Sequence, residues 1–274
     1  MVINDSDIKK YKDVLLDMLI DFDKFCLSND IEYSLDSGTL LGAVRHSGFI
    51  PWDDDIDVIM TKENYQKFLD KKDDYFSKYA IVCPFDDSLL ACPRALKIFS
   101  KNCCIMEKGI PYYEGAFIDV FFTMDVKHKS KFLNGIYLNK YKYLCRMYEY
   151  KTKRMVLVDE TGFLSRLAFI NSFFVSKKYL KKKILKYHNF VRNNSFCTSS
   201  FGSNNKMRKS FFTELILHPF EKHSFPIAKE YDDYLHELYG EYTILPSEKD
   251  RQCKHLVYLA FDENYEERQV SIDE

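Results

Sequence analysis

A chain of 274 residues, 46% hydrophobic and 30% charged with only 9 glycines and 7 prolines, can bury a sizeable core and does not resemble a fibrous or disordered protein. The stretch Met1 to Lys12 is polar and of mixed charge, unlike a secretory leader, and no run approaches the roughly 18 apolar residues that span a bilayer, so a cytoplasmic protein is expected. The formal net charge of -1 hides a segregation, because residues 127–192 hold 17 Lys and Arg against 3 acids, a basic middle in an acidic frame.

From Asp5 to Leu27 apolar residues recur at helical spacing (Ile8, Tyr11, Val14, Leu15, Met18, Leu19, Phe22, Phe25), which predicts an amphipathic helix in need of a partner surface. Ile31 to Leu35 reads as a short strand, and Ser37-Gly38-Thr39 opens a helix over Leu40 to Arg45 that ends near Gly48. After the apolar loop Phe49-Ile50-Pro51-Trp52, the stretch Asp55 to Met60 begins by alternating acid and aliphatic, as a strand with one buried face does. A helix over Glu63 to Asp70 and strands at Tyr79 to Val82, Ala95 to Phe99 and Ala116 to Phe122 follow. Interleaved in this way, residues 1–125 are expected to pack as an α/β or α+β core around a sheet. Within residues 126–200, Lys127 to Arg192 reads as a basic, aromatic helical insert, and Asn193 to Lys209 as a polar loop. Residues 201–274 complete the core: Phe211 to Phe225 is expected to supply strands that return to the sheet, and Tyr231 to Tyr239 a helix stopped by Gly240. The eight cysteines are scattered, and even Cys83, Cys92, Cys103 and Cys104 form no C-x-x-C pair, so free thiols are expected in preference to a zinc site.

Chemistry concentrates in Asp53-Asp54-Asp55-Ile56-Asp57-Val58. On a strand, Asp55 and Asp57 share a face, and the repulsion between them is relieved by a cation; hard oxygen ligands suit Mg²⁺ or Mn²⁺. Upstream, Ser37, Gly38 and Thr39 stand at a helix start, where free N–H groups and the helix dipole favour an anion. A diphosphate fits between that turn and the metal. Asp119 lies inside Ala116 to Phe122, a run that otherwise reads as buried, and an unpaired carboxylate there costs several kcal/mol. It therefore completes the metal site, takes a proton from an acceptor hydroxyl, or forms a structural ion pair. Arg45 and His46 at the helix end and Lys97 on a neighbouring strand are cations that would offset charge on a leaving group, with a surface role as the alternative for each.

The run Ser37-Gly38-Thr39-Leu40-Leu41-Gly42-Ala43-Val44-Arg45-His46, continued by Gly48-Phe49-Ile50-Pro51-Trp52-Asp53-Asp54-Asp55-Ile56-Asp57, resembles the signature of the LicD family of phosphocholine transferases, related to the fukutin-type ribitol-phosphate transferases. Phe117-Ile118-Asp119-Val120-Phe121 resembles that family's third-carboxylate strand, and Tyr231-Asp232-Asp233-Tyr234-Leu235, Leu238-Tyr239-Gly240-Glu241-Tyr242 and Leu245-Pro246 its C-terminal motif. Glu241 stands where an Asp is expected and Ser247 where a second Pro is common; neither belongs to the metal site. The motifs cover both ends of the chain and leave out the basic middle.

This resemblance implies an α+β fold with a nucleotidyltransferase-like mixed-sheet core flanked by helices, Mg²⁺ or Mn²⁺ held by Asp55, Asp57 and Asp119, and CDP-choline or a related CDP-alcohol as donor. It also implies a hydroxyl acceptor on a surface glycan, lipopolysaccharide or teichoic acid, free or lipid-linked, with CMP as leaving group. A true nucleotidyltransferase releasing pyrophosphate and a non-catalytic membrane or partner-binding module are the alternatives, and the carboxylates speak against the second. The insert, with Phe, Tyr and Leu interleaved with Lys, resembles an interfacial helix and suggests peripheral contact with an anionic membrane at the inner face of the plasma membrane, against a solvated basic face. No motif of a known nucleic-acid module accompanies the charge, so no nucleic-acid partner is expected.

Overall fold

The N-terminal amphipathic pattern folds as one long helix. In the computed structural model, which describes residues 3–75, 78–128, 130–158, 161–191, 195–201, 207–252, 256–266 and 268, α1 (Asp5–Ser28) starts at a capping box. The Asn4 side chain accepts from the backbone N–H groups of Ser6 and Asp7, and the Asp7 carboxylate accepts from that of Asn4. The stripe Tyr11, Leu15, Met18, Leu19, Phe22 and Cys26 is buried at helical spacing.

Next come β1 (Ser34–Leu35), α2 (Ser37–His46), β2 (Ile56–Met60) and α3 (Lys62–Lys71), the last capped by the Thr61 hydroxyl. The chain continues through β3 (Tyr79–Val82), β4 (Leu96–Glu107) and β5 (Glu114–Asp125) into the helices α4 (Lys131–Lys151), α5 (Phe163–Phe173) and α6 (Lys177–His188). It returns as β6 (Phe196–Ser199), β7 (Met207–Arg208), β8 (Leu215–Phe220), β9 (His223–Ala228), α7 (Tyr231–Tyr239) and β10 (Leu256–Phe261). One mixed sheet runs β1-β2-β5-β4-β10, with β3 on β4 and β6 and β7 beyond the end of β5. Among the described residues only the β2–β5 pair in it is parallel, so the expected α+β class and mixed sheet hold.

Among its described residues the basic insert forms three helices, and its inner faces join the main core: Tyr141, Cys145 and Tyr148 of α4 and Leu180 and Ile184 of α6 belong to the same buried cluster as Leu15 and Phe99. Two ion pairs, each with a buried carboxylate, fasten it. Glu149 of α4 accepts from Arg94 at 3.0 Å, and Arg154, just past α4, pairs with Glu114 at the start of β5. Such charges are tolerated in the interior only because each meets its opposite.

Three expectations are corrected. Phe211 to Phe225 does not return to the sheet, since β8 and β9 form a separate two-stranded hairpin. Pro219 and Pro226 lack the N–H that a further strand would need, which confines the ladder to two strands. Asn193 to Lys209 is not simply a loop, because β6 pairs with the end of β5 and β7 with β6. Thr198, Ser199 and Ser200 are buried, and Ser200 Oγ accepts from the Phe122 N–H at 3.1 Å while its carbonyl accepts from Tyr141 OH at 2.7 Å. Arg192, Asn193, Asn194 and residues 202–206 lie outside the described residues, as do Asp159 and Glu160 of the insert. The strand expected at Ala95 to Phe99 runs on to Glu107, with an irregularity between Phe99 and Cys104 that absorbs Ser100, Lys101 and Asn102, and β10 adds an unexpected outer strand. The seven described cysteines are free, as expected.

Replacing Arg154 with Met leaves the Glu114 carboxylate buried without its partner, so urea denaturation should show about 3–5 kcal/mol less stability; adding Glu114→Gln should recover much of that loss.

Candidate active site

Strand register builds a row of charged side chains across the sheet. Parallel pairing of β2 with β5 sets Asp57 beside Asp119, and antiparallel pairing of β5 with β4 sets Asp119 beside Lys97. Residues directly opposite one another share a face. Lys97 Nζ accordingly stands 3.0 Å from Asp119 Oδ1 and donates to Oδ2 at 3.2 Å, with the Phe117 ring centroid 3.3 Å from the ammonium. On the other side of β2, the Asp36 N–H donates to the Asp57 carbonyl at 3.0 Å and extends the row. Asp55 comes two residues before Asp57, at the entrance to β2.

The first turn of α2 meets this row end-on. Thr39 Oγ accepts from the Asp57 N–H at 2.9 Å, which ties the helix start to the carboxylate strand. Ser37 is held at a φ of +47°, a left-handed conformation that a residue with a side chain adopts at a cost of order 1–3 kcal/mol. At Gly38 a Cβ would lie 2.4 Å from Asp53 Oδ2, so the absent side chain leaves room for a carboxylate against the helix N-terminus. A Cβ at Gly42 would lie 2.4 Å from the Gly48 carbonyl, because the loop after α2 folds back over the helix. That loop is clamped by the β8–β9 turn: Glu221 Oε1 accepts from the Phe49 N–H at 3.1 Å, and the Glu221 N–H donates to the Ser47 carbonyl at 2.7 Å.

Asp55, Asp57, Asp119, Lys97 and the Ser37-Gly38-Thr39 turn are thus brought together, and Arg45 and His46 are not. Those two sit at the far end of α2, roughly 10–12 Å along the helix from Gly38. Arg45 donates to the Tyr242 carbonyl at 2.7 Å, and His46 packs edge-on against Trp52 with centroids 5.8 Å apart. Burial, then Arg45 and Lys12, lower the His46 pKa below 6.5, so its ring is neutral at pH 7.

Burial pushes the Asp55 and Asp57 carboxyls well above 3.8, and like charges add to it: Asp53, Asp54 and Asp119 act on Asp55, and Asp55, Asp119 and Asp36 on Asp57. Burial works against the Lys97 ammonium, but Asp119 and Glu114 outweigh it and its pKa is raised. Among the described residues no three carboxylate, imidazole or thiolate groups already stand as ligands about one point. The donor set nonetheless fits a hard divalent cation: it is all carboxylate oxygen, crowded and under mutual repulsion.

Four residues escaped the sequence reading. Asp53 was visible only as part of the acidic run, and its place against Gly38 required the folded loop. Asp36 is buried and accepts from Tyr234 OH of α7, a contact across 198 positions. Tyr239, whose pKa is raised by burial and then by Asp36, Asp57, Asp53 and Asp55, stands beside the carboxylates with 46% of its surface exposed. Glu107, at the end of β4, is pushed up to about 7 chiefly by burial; Lys97 lowers it, and Glu114 and Asp119 raise it. Asp54, by contrast, accepts from the Leu256 N–H of β10 at 3.3 Å and serves the sheet.

Because the folded-state pKa of Asp57 lies above the unfolded value, the metal-free protein loses stability as pH rises from the unfolded toward the folded pKa, and above both the deficit is complete. In a chelator at pH 7.5, Asp57→Asn should therefore melt higher than the wild type, and its melting temperature should fall less between pH 5 and pH 7.5.

Residues 30–86, from the end of α1 past α3, match the family described as LicD/FKTN/FKRP, nucleotidyltransferase domain. The lipopolysaccharide cholinephosphotransferase LicD of Haemophilus influenzae is 30% identical over 253 residues, covering 89% of this chain and 94% of that protein. The uncharacterized protein RP689 of Rickettsia prowazekii is 28% identical over 150 residues, 52% of this chain and 47% of its own, and RT0683 of Rickettsia typhi is 37% identical over 70 residues, 23% of each. With 89% of the chain covered, the first similarity reaches the basic middle as well as the two ends that carry the motifs. By that near end-to-end relationship, and by the turn and strand that the matched segment folds into, the chain belongs to the LicD/FKTN/FKRP family.

Proposed function

We propose that the protein is a transferase that moves phosphocholine from CDP-choline, or the phospho-alcohol of a related CDP-alcohol, to a hydroxyl of lipopolysaccharide or another surface glycan, with CMP leaving. The observation that carries this reading is the row Asp57, Asp119 and Lys97 on three adjoining strands, in a chain 30% identical to a lipopolysaccharide cholinephosphotransferase over 89% of its length.

Asp55 and Asp57, with Asp119 and the adjacent Asp53, are the residues that would hold Mg²⁺ or Mn²⁺. When bound, the cation supplies Lewis-acid neutralisation of the donor diphosphate and of the charge that accumulates on the departing nucleotide. The N–H groups of the Ser37-Gly38-Thr39 turn receive a diphosphate oxygen, with Asp53 yielding its place at the helix start. Lys97 holds Asp119 by a hydrogen bond to Oδ2 and leaves the buried Oδ1 without a hydrogen-bond partner among the described residues, which suits a ligand better than a base that must reach a substrate. Glu107, ionising at about 7, is the better-suited acceptor for the proton of the attacking hydroxyl. Tyr239, half-exposed and within electrostatic reach of the carboxylates, supplies an aromatic ring for the donor's quaternary ammonium.

With CDP-choline, Mg²⁺ and a choline-free lipopolysaccharide acceptor, chromatography should show CMP accumulating without pyrophosphate. Asp57→Asn and Asp119→Asn should each lower kcat by about 10³-fold or more. Pyrophosphate released from CTP, with no CMP from any CDP-alcohol, would identify a nucleotidyltransferase instead.

The kcat–pH profile should carry an acid limb near pH 7, and Glu107→Gln should remove that limb while lowering kcat by about 10²–10⁴-fold.

A further inference from the structure

α5 turns its large apolar side chains outward. Phe163, Leu164, Ile170, Phe173 and Phe174 are 77%, 69%, 53%, 64% and 83% exposed, whereas the buried positions of the helix are the small Ala168 and Ser172. At 100° per residue, positions 163, 167, 170 and 174 form one stripe, with 164 and 173 on its two borders. A helix docked only against its own protein has the opposite arrangement, with large residues inward.

The charge around the ridge is mostly basic, although Asp159 and Glu160 come just before it in sequence and Asp87 pairs with Lys177 at 3.3 Å. Residues 161–192 contain 8 Lys and Arg and no Asp or Glu. α6 begins four residues after α5 ends, so Lys177, Lys178, Lys181 and Lys182, all exposed, follow directly on Phe173 and Phe174. Arg166 is exposed within α5 itself, and Lys151 approaches the Phe173 carbonyl at 3.5 Å.

We infer that α5 and the start of α6 form a docking ridge for an anionic lipid bilayer. The phenylalanines and leucine enter the boundary between headgroups and acyl chains, and the surrounding lysines meet lipid phosphates. Charge complementarity selects this occupant. A second copy of the chain would bring two like-charged ridges together in a self-complementary contact, which such a concentration of lysines opposes. The contact is peripheral, because no described helix is long and apolar enough to cross a membrane. This inference goes beyond the proposed reaction and does not depend on it.

The test is flotation of the 274-residue protein with vesicles of phosphatidylcholine alone or with about 30% phosphatidylglycerol, at low and high salt. Co-flotation with the anionic vesicles at low salt is expected, with loss at high salt and little binding to phosphatidylcholine alone. A Phe163→Ser, Leu164→Ser, Phe174→Ser variant should keep the wild-type melting temperature, since these residues are exposed, and lose about tenfold or more in the ratio of bound to free protein. Lys177→Glu with Lys178→Glu should give a loss of similar size at low salt only. The inference is overturned if the wild type stays with the unbound fraction, binds neutral vesicles equally well, or floats unchanged after the serine substitutions. It is also overturned if gel filtration shows these residues holding a dimer that does not float.

Discussion

Two parallel strands, β2 and β5, hold Asp57 and Asp119 side by side in a recess where Asp55 and Asp53 add further negative charge. Like charges so close in a poorly solvated place repel, and the surroundings answer that repulsion. Lys97 is set by register against Asp119, and burial and crowding raise the Asp55 and Asp57 pKa values. The arrangement is unfavourable by itself, and the rest of the fold holds it in place.

Keeping the carboxylates crowded requires that the loop bearing them not relax. That loop is held from three sides. Thr39 bonds the Asp57 backbone, Gly42 lets the Gly48 carbonyl lie directly on α2, and Glu221 in the β8–β9 turn bonds both Ser47 and Phe49. α7 adds a fourth restraint through Tyr234 on Asp36. The hairpin, which stands apart from the main sheet, thereby works as a brace for the segment between α2 and β2.

The basic helices divide their two faces between two tasks. Inward, Tyr141, Cys145, Tyr148, Leu180 and Ile184 extend the core, and Glu149 and Arg154 lock onto Arg94 and Glu114. Outward, α5 leaves phenylalanines in solvent beside a field of lysines. An insert anchored by paired charges can present an apolar ridge without loosening the sheet that carries the carboxylates.

Much of this was legible locally. Helical period marked α1, alternation marked the strand carrying Asp57, a charge inside an apolar run marked Asp119, and a helix start before an acidic loop marked the Ser37-Gly38-Thr39 turn. These features depend on neighbours within a few positions, where spacing and chemistry suffice. Register between strands 22 and 62 positions apart does not, and only the fold decided that Lys97 serves Asp119, that Asp53 lies on Gly38, and that Arg45 and His46 belong to the other end of their helix. The polar run at 195–201 looked like a loop because its hydrogen-bond partners, Phe122 and Tyr141, are distant in sequence. The direction of the α5 stripe was open for the same reason: periodicity defines an apolar face, but only packing against the rest of the chain determines which face meets the core and which meets solvent.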